Sequence, residues 1–243
     1  MPLMIQKYGG SSLATPAHIL NVARRIIQTK EKGYQLVVVV SAMGRTTNDL
    51  LNLAHEITDT PYDRELDMLL SSGERVSMAL LSMALHKLGH HSISFTGSQS
   101  GIVTDTAHTK AKILEIKADR IQKELHNGKI VIVAGFQGVS RDKEVTTLGR
   151  GGSDLTAVAL AVHLKAERCE FYKDVDGVYT EDPKQNEKAL KLKTCKIDEV
   201  MHLVRNGSRI LNPDALLLAK ENLLPLYLAS SFNFQEGTTI HAG

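Results

Sequence analysis

The run Leu36-Val37-Val38-Val39-Val40 is apolar at every position, so a strand made from it offers apolar side chains to both of its faces. Only the middle of a sheet covered on both sides accommodates such a strand, and the turn-forming Ser41-Ala42-Met43-Gly44 ends it. Further strand-like runs at Leu3–Tyr8, Ser92–Phe95, Lys129–Ala134, Glu167–Lys173 and Pro225–Ala229 alternate with longer stretches of helical spacing. After the first strand, Thr15 is placed to cap a helix whose first turn holds Pro16, with Ile19, Ala23, Ile26 and Ile27 at helical intervals behind it. Ser71–Leu88 reads as a second helix. Lys110–His126 reads as an amphipathic helix, with Leu114, Ala118, Ile121 and Leu125 in register. Gln137–Leu148 reads as a hairpin about the charged turn Arg141–Glu144, and an apolar helix begins near Gly152. Helical segments are expected around Asp198–Arg205 and Asp214–Glu221. Strands joined by helical crossovers predict an α/β fold, an open and mainly parallel central sheet sandwiched by helices.

A chain of 243 residues, 42% of them hydrophobic, suffices for one large domain, expected to span residues 1–243. The formal net charge of +2, with both signs spread along the chain, excludes a basic nucleic-acid face or an acidic tail. Cys169 and Cys195 stand in no metal-binding spacing and read as ordinary thiols of a reducing compartment. The N-terminus lacks a basic region followed by a long apolar one, and no apolar run nears the roughly 18 residues of a membrane span. The expectation is a cytoplasmic protein without a nucleic-acid or membrane partner.

Small and glycine residues gather at the C-terminal ends of the strands, where open α/β sheets bind ligands. In Lys7-Tyr8-Gly9-Gly10-Ser11-Ser12 the glycines let backbone amides approach a phosphate, and Lys7 reaches a transferred phosphoryl group; a plain tight turn accounts for the same glycines. The loop is neither Gly-x-Gly-x-x-Gly nor Gly-x-x-x-x-Gly-Lys-Ser/Thr, which excludes a Rossmann dinucleotide site and a P-loop. Thr46-Thr47-Asn48 carries hydroxyls at a helix start, where capping alone explains them. Glu74, in Ser72-Gly73-Glu74, opens an apolar helix, where the helix dipole alone favours a carboxylate. Leu148-Gly149-Arg150-Gly151-Gly152-Ser153-Asp154 is denser: an arginine fork among three glycines, then a serine and an aspartate at a helix start, suits a carboxylate or phosphate. Downstream, Tyr172–Lys184 ends a strand with acidic, aromatic and basic groups.

Together these clusters resemble the aspartate kinases of the amino acid kinase superfamily, in the family's order and over nearly the whole chain. Phe95–Ile102 and Gly135-Phe136-Gln137-Gly138 match as well. Leu148–Asp154 is the element similar to aspartate kinases rather than to acetylglutamate, glutamate, uridylate or carbamate kinases. The resemblance implies the amino acid kinase fold, with a lobe of about residues 1–140 binding aspartate and one of about 141–243 binding ATP. It implies that Lys7 stabilises the transferred group, that Asp154 positions that lysine, and that Ser11, Thr47, Glu74, Arg150, Gly151 and Ser153 bind aspartate. Glu74 then faces the ammonium group and Arg150 a carboxylate. Gly9, Gly10, Lys173, Asp174, Tyr179, Lys184, Ser208 and Arg209 match the nucleotide-binding positions. Two positions depart from the family: Arg209 stands where a lysine is usual and Asn212 where a histidine is usual.

The implied reaction converts L-aspartate and ATP into 4-phospho-L-aspartate and ADP, the first step of aspartate-family amino acid biosynthesis towards lysine and threonine. Mg²⁺ is expected mainly on phosphates and water, with no protein metal ligand, and a homodimer is the implied assembly. The family's ACT regulatory domains are expected to be absent, and with them feedback by lysine or threonine. The alternatives are another small-molecule kinase of the superfamily and a non-catalytic paralogue that senses aspartate or nucleotide.

Overall fold

The computed structural model describes every residue except Asp182, Lys184, Gln185 and Glu187. The chain opens with β1 (Leu3–Tyr8), a short 3-10 turn at Ser11–Leu13, α1 (Pro16–Glu31) and β2 (Gln35–Val40). Three helices follow, α2 (Thr46–Ile57), α3 (Asp63–Leu70) and α4 (Ser72–Lys87), and then β3 (Ser92–Phe95), β4 (Ile102–Thr104) and β5 (Ile113–Ile116). Next come α5 (Asp119–His126), β6 (Ile130–Ala134), the hairpin of β7 (Gln137–Ser140) and β8 (Val145–Thr147), α6 (Gly152–His163) and β9 (Arg168–Lys173). The remainder is β10 (Thr194–Lys196), α7 (Ile197–Arg205), α8 (Pro213–Glu221), β11 (Leu226–Ser230) and β12 (Thr238–His241).

Eight strands form one sheet in the order β10-β12-β11-β9-β1-β2-β6-β3. Every neighbouring pair in it is parallel except β11 with β12. As the all-apolar run of Leu36–Val40 requires, β2 lies inside this sheet between β1 and β6 and is buried on both faces. One face packs Met4, Tyr8, Val38 and Val40 against Ile19, Ala23 and Ile26 of α1 and Leu81 and Leu85 of α4. The other packs Ile5, Val37, Val39 and Phe171 against α5, α6, α7 and α8. Strand succession runs outward from β1 to β2, then returns to the other side of β1 at β9. The crossover helix switches faces with it, from α1 to α6. Loops that part in this way leave a crevice at the C-terminal ends of β1 and β9. The capping read from the sequence is present: Thr15 accepts a hydrogen bond from the His18 amide, with Pro16 in the first turn.

The expected helix over Lys110–His126 is a correction. Its first half is β5, which pairs antiparallel with β4 through Ile102↔Ile116 and Val103↔Glu115. The helix begins only at Asp119. The β-branched Ile113 and Ile116 favour a strand once β4 offers a partner, so pairing outweighs the helical spacing. Leu114, counted on the apolar helical face, is 53% exposed, whereas Ala118, Ile121 and Leu125 are buried. Strands β4, β5, β7 and β8 form a second, four-stranded sheet in the order β5-β4-β7-β8. Among the described residues of Asp174–Leu192, Tyr179 and Lys191 form an antiparallel bridge, so part of that excursion is itself paired.

Candidate active site

Alternation along β1 sends Ile5 and Lys7 towards α6, and Gln6 and Tyr8 towards α1. Lys7 therefore meets the N-terminus of α6, where its ammonium lies 2.7 Å from Asp154 Oδ1, both side chains almost wholly buried. Lys173, at the end of the adjacent β9, donates to Asp154 Oδ2 at 2.9 Å and to the Ile210 carbonyl at 2.7 Å. One carboxylate thus holds two ammonium groups delivered by neighbouring parallel strands. Burial alone pushes the Asp154 carboxyl up, but Lys7 and Lys173 overcome it and hold the group at about 2. Lys173 is shifted down by burial and by the nearby Lys7, while Asp154 opposes the fall.

Glu74, in the first turn of α4, is buried beside this cluster. Its Oε1 accepts from the Ala42 amide at 3.0 Å, just beyond β2. Its Oε2 is out of solvent and has no hydrogen-bond partner among the described residues. Burial raises Glu74 to about 7, even against the lowering pull of the Ala42 amide and the Lys7 ammonium. An acceptor left open in a buried carboxylate is a place for a ligand's N–H group. Ser41 Oγ bonds Ser153 Oγ at 3.0 Å, and Ser77 Oγ donates to the Ser41 carbonyl at 2.7 Å, tying the end of β2 to α6 and α4.

Glycine is required where these elements converge. A Cβ on Gly10 would lie 2.8 Å from the Ala42 carbonyl oxygen, and one on Gly135 2.6 Å from Ser153 Cβ. Gly149 and Gly151 flank Arg150 with φ of +74° and +77°, a conformation that leaves Arg150 exposed at the mouth of the crevice. Asn212 reaches into the same loop: its Nδ2 donates to the Arg150 carbonyl at 3.2 Å, its amide to Asp154 Oδ2 at 3.3 Å, and its Oδ1 caps α8.

Lys7, Glu74, Ser153, Asp154 and Lys173 are thus brought together, with Gly9, Gly10 and Ser11 directly after β1. Thr47 stands half-buried on the first turn of α2, whose Thr46 packs near Gly73 at the start of α4. Asp174, Ser208 and Arg209 are exposed on loops bordering Lys173 and Ile210. Tyr179 is turned to Asp176, its hydroxyl donating at 3.1 Å, and Lys184 lies outside the described residues. Sequence reasoning did not anticipate the Ile210 carbonyl on Lys173 or the double role of Asn212. Asn before Pro213 is a capping signal legible in the sequence, but its bond to Arg150 spans 62 positions. No three His, Cys, Asp or Glu side chains converge as a metal cage among the described residues, and no helix of theirs is long and apolar enough to cross a membrane.

The profile of the amino acid kinase family matches residues 2–230. The chain belongs to the amino acid kinase family. Within that family it is 50% identical over 240 residues to the aspartokinase of Bacillus sp. strain MGA3, covering 99% of this chain and 58% of that protein. The chain therefore spans little more than half the length of such relatives. Among solved structures, the aspartate kinase from Synechocystis superposes with a TM-score of 0.89 at 43% identity, over 99% of this chain and 40% of that one. E. coli aspartokinase III, solved with aspartate and ADP, also gives 0.89, at 25% identity, over 98% of this chain and 64% of that one. The open, mainly parallel sheet between helices is thus the fold of the family.

Proposed function

We propose that this chain is an ATP-dependent aspartate kinase, transferring the γ-phosphoryl group to the side-chain carboxylate of L-aspartate to give 4-phospho-L-aspartate and ADP. The observation that carries the proposal is the buried Asp154 carboxylate holding Lys7 and Lys173 side by side at the ends of β1 and β9. The likeness to aspartokinases and the aspartate and ADP bound to the E. coli enzyme support this reading of the cluster.

A free aspartate side chain has a pKa of about 3.9, so the nucleophile is already ionised at neutral pH and needs no general base. The problem is to bring an anion against a polyanion, which makes catalysis a matter of placing positive charge and aligning the reactants. Lys7 neutralises charge on the transferred group, and Asp154 fixes its ammonium in place. Glu74 takes the substrate ammonium on its open oxygen, Arg150 takes a carboxylate, and Ser11, Thr47, Gly151 and Ser153 complete the aspartate site. Gly9, Gly10, Lys173, Asp174, Tyr179, Lys184, Ser208 and Arg209 form the nucleotide side. The lobe of about residues 1–140 is assigned mainly to aspartate and that of about 141–243 mainly to ATP, with Arg150, Gly151 and Ser153 reaching back to aspartate and Gly9 and Gly10 to the nucleotide. Lys7 and Lys173 bring ammonium groups to the crevice, which suit phosphate oxygens rather than a cation. Mg²⁺ would enter on those oxygens and water, supplying charge neutralisation when bound.

The assembly we propose is a homodimer of a cytoplasmic protein, supported by the exposed apolar stripe Val76, Leu80 and Met83 along α4. The test of the function is turnover of the purified chain with ATP, Mg²⁺ and L-aspartate, the acyl phosphate being trapped with hydroxylamine, beside glutamate, N-acetylglutamate and UMP. Aspartate-dependent product supports the proposal. Product with another acceptor assigns the chain to a sister activity, and nucleotide binding without turnover assigns it to the sensors.

A further inference from the structure

Away from the reacting centre, Asp67 of α3 is fully buried and accepts hydrogen bonds from three residues on two separate segments. Thr147 Oγ1, at the end of β8, donates to its Oδ1 at 2.5 Å. His108 Nδ1 donates to its Oδ2 at 2.7 Å, and the Thr109 amide lies 3.1 Å from both oxygens. Thr109 is held at φ +64°, a conformation that a β-branched residue adopts only when its surroundings impose it. The Thr109 carbonyl in turn backs Gly149: a Cβ there would lie 3.2 Å from it. Thr147 is further pinned from outside, its carbonyl accepting the Ala111 amide at 2.8 Å.

Thr147 is three residues before Arg150, and Asp67 is seven residues before Glu74, across the junction of α3 and α4. We propose that Asp67 is a positioning residue for substrate recognition, with Thr147 and the His108-Thr109 corner as its clamps. It fixes the Leu148–Arg150 loop relative to the start of α4, and so sets the distance between the cationic and anionic groups that grip an amino-dicarboxylate. The inference rests on the proposed aspartate kinase activity. A carboxylate on α3 that is bonded to two other segments at once stabilises the relative placement of all three more than any one of the bonds alone.

The test is steady-state kinetics of Thr147→Val, which removes one hydroxyl while keeping the side-chain shape, beside Thr147→Ser, His108→Asn and Thr146→Val. Thr146 Oγ1 bonds Thr104 Oγ1 at 2.6 Å one residue earlier on β8, so its loss perturbs the hairpin without touching Asp67. The expected result is a KM for aspartate raised about tenfold in Thr147→Val and His108→Asn, with KM for ATP within about twofold and KM for aspartate restored in Thr147→Ser. Thr146→Val is expected to lower thermal stability and leave KM for aspartate unchanged. Equal rises in both KM values, or a KM for aspartate that follows thermal stability across all four variants, would overturn the proposal. Wild-type protein without aspartate-dependent turnover would overturn the functional reading itself, and this inference with it.

Discussion

Removing the Asp154 carboxylate leaves the buried Lys7 ammonium and the partly buried Lys173 one facing one another without a counter-ion. Asp154→Asn is therefore expected to destabilise the fold by about 3–5 kcal/mol, read from urea unfolding. It should also lower kcat alongside Lys7→Ala, for which about a hundredfold loss is expected, and near-normal turnover of Lys7→Ala would remove the lysine from the mechanism. The folded Asp154 sits at about 2, below its ordinary 3.8. Its stabilisation is thus present above the ordinary value and lost as pH falls towards the folded one. Glu74 has the opposite sign. Its folded value of about 7 lies above the ordinary 4.5, so stability falls as pH rises across that window and is level above it. Glu74→Gln should consequently be more stable than the parent at pH 8. For binding the same titration works in reverse: KM for aspartate should rise as pH falls through about 7, and in Glu74→Gln it should be high and flat across that range. The sequence offered Lys7, Glu74 and Asp154 as candidates through their positions after glycines and at helix starts. It could not disclose that Glu74 keeps one oxygen unbonded among the described residues, because that depends on Ala42 supplying a single amide across the crevice.

At the scale of elements, the crossovers legible in the sequence are those whose strands are buried on both faces, β1, β2, β6 and β9, since their composition admits one environment. Residues 110–118 misled because Leu114, Ala118, Ile121 and Leu125 keep helical spacing while β4, out of sight in a sequence, takes Ile113–Ile116 as a partner. β10 and β12 escaped for the same reason: each has only three or four residues and is defined by its neighbour rather than by its own pattern. The seating of α6 against β6 and β2 depends on close approach. Gly135→Ala would place a Cβ 2.6 Å from Ser153 and 3.0 Å from Val39, which a packed interior resists. A loss of about 1–3 kcal/mol is expected in thermal or denaturant unfolding, with a larger fall in kcat than in stability, because Asp154 moves with the helix.

For the whole molecule, the exposed stripe on α4 distinguishes a monomer from the proposed dimer. Val76 is 50% exposed, Leu80 37% and Met83 64%, at the spacing of one helical face. Met83→Glu is expected to shift the mass measured by light scattering from two chains to one, and a parent protein of single-chain mass would refute the assembly. A larger-scale consequence belongs to β1. Its two faces carry different chemistry: Lys7 meets Asp154 on one side, while on the other Gln6 donates to Glu170 and Thr29 at 2.9 Å and accepts from Tyr8 at 3.1 Å. Sliding this strand by a single residue would trade the faces, sending the ammonium into the α1 layer and an amide to the acid that awaits it. The strand pairing is thereby proofread: a chain that has miscounted by one cannot be a slightly impaired enzyme, only an unstable one, so every molecule that survives folding arrives with its lysine already on the correct side.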